Sequence, residues 1–394
     1  MVAFTFPGQG SQTPGMGEAW TQHPSWELVE EASDASGRDV EALLLRADAA
    51  ELTETRNSQL ATFVTSMIVL DAVERTGIEP AFHAGHSLGE YSALTAAGTL
   101  SFEDGVKLVT ERGNAMQGAA DSQVGTMAAV LGLDDDKVEA ACEQAGGDVW
   151  VANYNAPGQV VIAGDPDAIE AAGVVAKELG AKRVMGIRVG GAFHTPFMAQ
   201  AGDRLRKAIA DTELRDPNRP VYANIDALPH PNGHEWGSIM ASQLTSPVRW
   251  RQTLHHLHEA GANTFLELGP GTVLTGMAKR TIKGATTAGV STPADVDQLL
   301  EKLSNAPQVG RAPGSHVEGE FLYAVERLVV SPATGLFEPR AGLEVGQPIA
   351  AGELVGTVGA TEVRSAFGGL VHGILAVAGE RVTTSQPIAW LRTA

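Results

Sequence analysis

Cysteine is almost missing from this 394-residue chain, which carries only Cys142. A lone thiol excludes an internal disulfide and any cysteine-based metal cluster, and its setting in the helical pattern of residues 136–145 makes it a core thiol. Long apolar runs are missing too. No stretch reaches the roughly 20 residues a membrane helix needs, and no basic segment followed by an apolar one opens the chain. The expectation is a cytoplasmic protein with no membrane contact. Basic residues are outnumbered, 28 against 47 acidic, and the resulting charge of −19 repels phosphate backbones, which argues against a nucleic-acid partner.

What is there is a globular composition, 43% apolar and 19% charged. At about 150 residues per domain, the length predicts two to three domains. As far as about residue 290, short apolar runs alternate with helical stretches, the pattern of an α/β layer fold. Candidate strands are residues 2–6, 81–85, 125–130, 159–163 and 264–268. Residues 125–188 run strand, helix, strand, strand, helix, strand, with helices at 134–145 and 165–179, an order that suits a ferredoxin-like subdomain at about 123–190. An acidic helix at 292–303 is followed by an aperiodic stretch at 304–316 that reads as a linker, so residues 291–316 are expected as helix and linker beyond a first domain of residues 1–290. From residue 317 to 394 lysine and aspartate disappear, and short β runs are punctuated by glycine and proline. This last region repeats itself: Ser331-Pro-Ala-Thr-Gly335-Leu336-Phe337 aligns with Ser365-Ala-Phe-Gly-Gly369-Leu370-Val371, and Gly346-Gln-Pro-Ile-Ala350 with Gly379-Glu-Arg-Val-Thr383. Two copies predict a pseudo-twofold β-sandwich rather than a solenoid, which needs at least three units.

The strongest chemical signal is Gly85-His86-Ser87-Leu88-Gly89, set between an apolar run and an alanine-rich helix. In that context Gly-x-Ser-x-Gly describes a nucleophile elbow: the glycines let strand and helix approach, and the turn lifts the Ser87 hydroxyl beside the helix N-terminus. A serine needs a base, and of eleven histidines His194 is best placed, in a glycine-rich turn after the apparent strand at 184–189. His86 reads as a packing residue, and His230, His234, His255, His256 and His258 as solvated surface residues. Arg112 lies on a helix that Ser101 caps. At about 100° per residue it shares the apolar face of Phe102, Val106, Val109 and Met116, opposite Glu103, Lys107 and Glu111. An inward arginine needs an anion, either an internal ion-pair partner or a carboxylate ligand gripped by its fork. Pro7-Gly8-Gln9-Gly10-Ser11-Gln12 follows the first strand without the lysine of a phosphate-binding loop, so it is either a plain turn or the source of a second oxyanion amide beside that of Leu88.

Together these motifs resemble the malonyl-CoA:acyl carrier protein transacylases of type II fatty acid synthesis. The resemblance spans residues 1 to about 290 and rests on ordered matches: residues 6–12, Gln59, 85–94, 111–117, 153–164, Phe193-His194, 243–250 and 267–271. It implies an acyltransferase core with an α/β-hydrolase-like parallel sheet and the ferredoxin-like subdomain. It further implies that Ser87 is acylated, His194 is its base, Arg112 grips the malonyl carboxylate, and Gln9 and Leu88 supply oxyanion amides. The Gln243 carbonyl orients the histidine, Asn155 and Gln59 lie near the pocket, and Phe193 disfavours a branched acyl group. The implied substrates are malonyl-CoA and phosphopantetheinylated acyl carrier protein, with no cofactor and no metal. Lys279, Arg280 and Lys283 could face the acidic carrier. Other readings left open are loading of a polyketide carrier, a serine hydrolase or thioesterase of α/β-hydrolase type, and a noncatalytic scaffold.

Residues 317–394 resemble a biotinyl or lipoyl carrier domain, all-β, through Gly369-Leu-Val-His-Gly-Ile374 and the repeat. The lysine that such domains modify is missing from the corresponding Gly359-Ala-Thr-Glu-Val363. The expectations for this region are a stabilising or self-associating appendage, or a surface that docks a synthase partner.

Overall fold

A computed structural model describes residues 1–187, 189–304, 326–365, 367–384 and 386–392. Arg188, the stretch 305–316 of the expected linker and residues 317–325 of the expected β region lie outside the described residues. The chain divides into two compact units, Met1–Arg311 and Ala312–Ala394.

The first unit is built on a five-stranded sheet whose order is Val221–Tyr222, Phe82–Gly85, Val2–Phe6, Thr264–Leu268 and Thr286–Val290, every neighbouring pair parallel. Its three central strands are buried almost throughout, as expected of a parallel sheet covered on both faces. One covering helix, Thr55–Glu74, is buried along nearly its whole length. Another, Phe102–Ser122, starts where Ser101 Oγ accepts from Asp104 N at 3.0 Å, and it brings Arg112 into the interior.

The second layer of this unit is an antiparallel sheet in the order Val149–Ala156, Gln159–Gly164, Thr126–Leu131, Arg183–Ile187, with helices Asp135–Ala145 and Pro166–Glu178 inserted, the ferredoxin-like pattern. The period of two along each strand gives its faces different work. Ala128, Val130, Tyr154, Val160 and Ile162 form a core that includes buried Cys142, while Met127, Asn153, Asn155, Val161 and Ile187 face a cleft. Tyr154 N to Val248 O and Val248 N to Ala152 O, both 2.8 Å, tie this sheet to the segment that follows Gln243.

Two expectations need correction. The acidic helix, Pro293–Ser304, belongs to the first unit rather than lying beyond a boundary at residue 290: Val296 and Leu299 are buried in its main core. His230 and His256 are half-buried and tethered rather than free surface residues; His230 is held between Asp226 and Glu235, and His256 Nδ1 meets Ala227 O at 2.7 Å.

The second unit contains two four-stranded antiparallel sheets. One runs Glu326–Val330, Pro387–Arg392, Gly369–Ile374, Pro348–Ile349, and the other runs Thr361–Arg364, Leu354–Val358, Gly335–Pro339, Arg381–Val382. Each strand of the first has a counterpart at the same place in the second. The repeat extends to single bonds: Ser331 Oγ donates to Ala333 O at 2.6 Å, and Ser365 Oγ donates to Phe367 O at 2.7 Å. Apolar residues of both sheets, Val329, Phe337, Val355, Val363, Val371 and Ile388 among them, share one core.

Candidate active site

Ser87 stands at the C-terminal end of the Phe82–Gly85 strand, immediately before the Gly89–Ala96 helix. The turn is tight enough to exclude side chains at both glycines: a Cβ at Gly85 would come within 1.8 Å of Gly89 backbone atoms, and one at Gly89 within 2.0 Å of Phe6 O. Ser87 itself takes φ 53°, a conformation costly for a residue with a Cβ, as a nucleophile elbow requires.

His194 reaches Ser87 from the loop after the Arg183–Ile187 strand, also with a positive φ of 62°. Its Nε2 lies 2.7 Å from Ser87 Oγ. Its Nδ1 faces two carbonyls, Gln243 O at 3.0 Å and Ser246 O at 3.1 Å. Two acceptors at Nδ1 fix the proton there, which leaves the Nε2 lone pair free to take the serine proton. Burial, reinforced by the Arg112 charge, pushes the His194 pKa down to about 3, so the ring is a neutral base.

Arg112 is wholly buried. It donates to Gln59 Oε1, to Gln243 Oε1 at 2.9 Å and to Ser87 Oγ at 3.1 Å, and its guanidinium carbon lies 5.4 Å from the centre of the Tyr91 ring. The carboxyl in this network is Glu90, whose pKa burial raises to about 8 against the opposing pull of its hydrogen bonds and of Arg112. Arg112 therefore lacks a full counter-charge, and its own pKa is lowered by burial.

Ser87 and His194 open onto a cleft of about 210 Å³. Gly8, Gln9, Gln59, His86, Met116, Asn153, Asn155 and Phe193 line it with them. Its volume is below the roughly 300–1,000 Å³ of pockets that enclose a drug-sized ligand, so it suits the reacting end of a longer substrate. Arg112 is not on its wall; it reaches the cleft through Gln59 and Ser87. Leu88 caps the elbow helix, and among the described residues no protein acceptor takes the Gln9 or Leu88 amide. Phe193 is buried, and its ring packs closely on Gly191, where a Cβ would lie 3.0 Å from the ring edge.

The Acyl transferase domain model matches residues 3–310. Malonyl CoA-acyl carrier protein transacylase of Bacillus subtilis (strain 168) is 40% identical over 307 residues, 77% of this chain and 97% of that protein. The enzyme of that name from Escherichia coli (strain K12) is 40% identical over 306 residues, 76% of this chain and 98% of its own length. The chain belongs to the malonyl CoA-acyl carrier protein transacylase family. Among solved transacylase structures, that from Coxiella burnetii superimposes with a TM-score of 0.74 at 36% identity, covering 77% of this chain and 98% of that one. A malonyl-transacylase solved in complex with a type II polyketide synthase acyl carrier protein gives 0.74 at 38% identity, covering 76% and 99%.

Within this transacylase fold, His86 does more than pack. It sets its ring edge-on against Trp250, 5.7 Å between centroids, and holds Asn155 Oδ1 at 2.8 Å on the cleft wall. Ser246 and Asn224 are the site residues that sequence reasoning missed. Ser246 acts through its backbone, which no residue pattern marks. Asn224 follows the short edge strand Val221–Tyr222, and only the pairing of Tyr222 with Ala84 brings it to the elbow.

Proposed function

We propose that this chain transfers the malonyl group of malonyl-CoA to the phosphopantetheine thiol of acyl carrier protein, through a malonyl ester on Ser87. The observation that carries the reading is the pair of contacts at one atom, Ser87 Oγ: His194 Nε2 at 2.7 Å and Arg112 at 3.1 Å. A base and a cation at one hydroxyl suit an acyl group that bears its own carboxylate.

In the first half-reaction His194 takes the Ser87 proton as Oγ adds to the thioester carbonyl. The Gln9 and Leu88 amides receive the charge on the former carbonyl oxygen, where loss of one donor typically costs about 3 kcal/mol. The carbon–sulfur bond then breaks, and the coenzyme A thiolate takes the proton from His194. Meanwhile the free carboxylate takes the Arg112 donors that Gln59 and Ser87 hold before substrate arrives. In the second half-reaction His194 deprotonates the carrier thiol, the sulfur attacks the ester, and Ser87 recovers its proton. No step needs a cofactor. Gln243 orients the histidine, Asn155 and Gln59 border the acyl group, and Phe193 leaves no space for a branch.

The reaction belongs to fatty acid biosynthesis in the cytoplasm; loading of a polyketide carrier uses the same chemistry, and comparative rates with the two carriers distinguish them. Lys279, Arg280 and Lys283 are exposed at the end of the Val273–Thr281 helix, whose Val273, Leu274 and Met277 line the cleft, and they serve as the landing site for the acidic carrier. Intact mass after incubation with malonyl-CoA tests the central step. Wild type gains one malonyl group and Ser87→Ala gains none; an unmodified wild type overturns the reading.

The second unit is, in this proposal, a biotinyl or lipoyl-like sandwich that has lost its attachment site. Support comes from its twofold repeat, from Gly359 and Ala360 turning the Leu354–Val358 to Thr361–Arg364 hairpin, and from the lack of lysine in residues 317–394. Its role is self-association or docking of a synthase partner. Unchanged transfer, stability and assembly after deletion of residues 317–394 would remove that role.

A further inference from the structure

Two buried residues to which the proposed mechanism gives no part, Asn224 and Glu90, hold the elbow from behind. Tyr222 pairs with Ala84, and two residues further on Asn224 lies beside the turn. Its side chain makes two bonds to the elbow backbone, each 2.7 Å: Nδ2 donates to Gly85 O, and Oδ1 accepts from Ser87 N. These bonds bracket His86 and end on the N–H of Ser87, whose left-handed backbone at φ 53° is unfavourable for a residue with a Cβ, so the turn needs outside support.

Asn224 is itself held. Its backbone N–H donates to Glu90 Oε2 at 2.6 Å, and Glu90 Oε1 accepts from Gln243 Nε2 at 3.0 Å. Gln243 Nε2 also donates to Ser87 O at 2.8 Å, while Gln243 Oε1 accepts from Arg112 and its carbonyl faces His194. Glu90, Asn224 and Gln243 are each at most 1% exposed, so water does not compete for these bonds. Asn224 and Glu90 do not line the cleft. With Ser87 N–H engaged by Asn224, the next amide along, that of Leu88, is the one left to face the substrate oxygen.

We propose that Asn224 is a positioning residue that fixes the Ser87 backbone for attack, with Glu90 locking Asn224 and Gln243 in register. The inference rests on the reading of Ser87 as the acylated nucleophile. As the ester forms and breaks, Oγ must keep its aim at His194 while the carbonyl oxygen stays on the Gln9 and Leu88 amides. An elbow free to relax toward ordinary backbone angles would lose one or the other.

The test compares full-length wild type, Asn224→Ala and Glu90→Gln in single-turnover acylation by malonyl-CoA. It records the saturating rate per acylated site and the concentration giving half that rate. Losing two buried hydrogen bonds predicts that Asn224→Ala slows acylation about 30-fold, equivalent to about 2 kcal/mol, with half-saturation changed by less than about twofold. Glu90→Gln keeps the volume but replaces one of the two oxygens that accept from Asn224 N and Gln243 Nε2 with an amide NH2 that cannot accept, and the rate falls about 10-fold in the same way. A purely structural role would lower the melting temperature and the number of acylated sites but leave the rate per site untouched, and that result overturns the inference. Should Asn224→Ala not fold, Glu90→Gln is judged by the same criterion. A wild type that never acquires malonyl would instead sink the underlying assignment of Ser87.

Discussion

Removing the Arg112 charge tests the heart of the proposed selectivity. In the free protein the guanidinium has only neutral hydrogen-bond acceptors, on Gln59, Gln243 and Ser87. A malonyl carboxylate replaces two of these with charged acceptors, which bind roughly twice as strongly, for a gain of about 2–3 kcal/mol. Acetyl-CoA offers no such exchange and leaves the arginine as it stands. Arg112→Ala should therefore lower kcat/KM for malonyl-CoA by about 10²-fold while changing the acetyl-CoA value far less, so that the preference collapses. Arg112→Lys keeps the charge but loses the fork, and it should recover only part of the preference. Because the arginine is wholly buried, the alanine variant also loses roughly 2–4 kcal/mol of stability to the cavity, so rates are compared per acylatable site. The assay is release of coenzyme A with each thioester under single-turnover conditions. A malonyl preference that survives in Arg112→Ala refutes the reasoning, since nothing else would then account for recognition of the second carboxylate.

The remaining predictions concern the base, the acyl pocket and the carrier. His194 has a folded pKa of about 3 against about 6.5 when unfolded, so the protein favours the neutral ring; its contribution to stability is complete above pH 6.5 and is lost as pH falls toward 3. The pH profile of malonyl-CoA acylation should accordingly have no histidine limb near 6.5, and Arg112→Ala, by removing a neighbouring cation, should move the limb upward. A limb at 6.5 in wild type would contradict this. Phe193→Ala should raise the methylmalonyl-to-malonyl rate ratio about 10-fold by opening space beside His194, and a ratio unchanged by the truncation rules out Phe193 as the barrier. Reversing the charges of Lys279, Arg280 and Lys283 should raise KM for the carrier and reduce its salt dependence while sparing acylation by coenzyme A thioester; equal losses in both half-reactions would point to damaged folding instead.

Much of the site was legible because its chemistry is local. Gly85 is required by a contact four residues on, with Gly89 itself, the Gly-x-Ser-x-Gly spacing marks Gly89 although its crowding neighbour is the distant Phe6, and Arg112 betrays itself by sitting on the apolar side of a single helix. The ferredoxin-like order was readable from alternation alone, as was the twofold pattern of the second unit, since each repeat copies its own turns. What escaped depends on distant pairing. Asn224 meets Ser87 across 137 positions because two strands happen to be neighbours, and Ser246 contributes only a carbonyl. The helix Pro293–Ser304 was legible as a helix but was placed outside the first domain for a related reason: its core contacts, Val296 and Leu299, cannot be assigned until the surface they meet is known. His230 and His256 likewise owe their partial burial to partners that composition does not reveal.

Cys142 has a practical use. Buried in the small subdomain, with its thiol pushed up to about 12, it should stay silent toward Ellman-type dyes at neutral pH. Liberated coenzyme A can then be read colorimetrically with no background from the enzyme, and a cysteine engineered anywhere on the surface would accept a fluorophore alone.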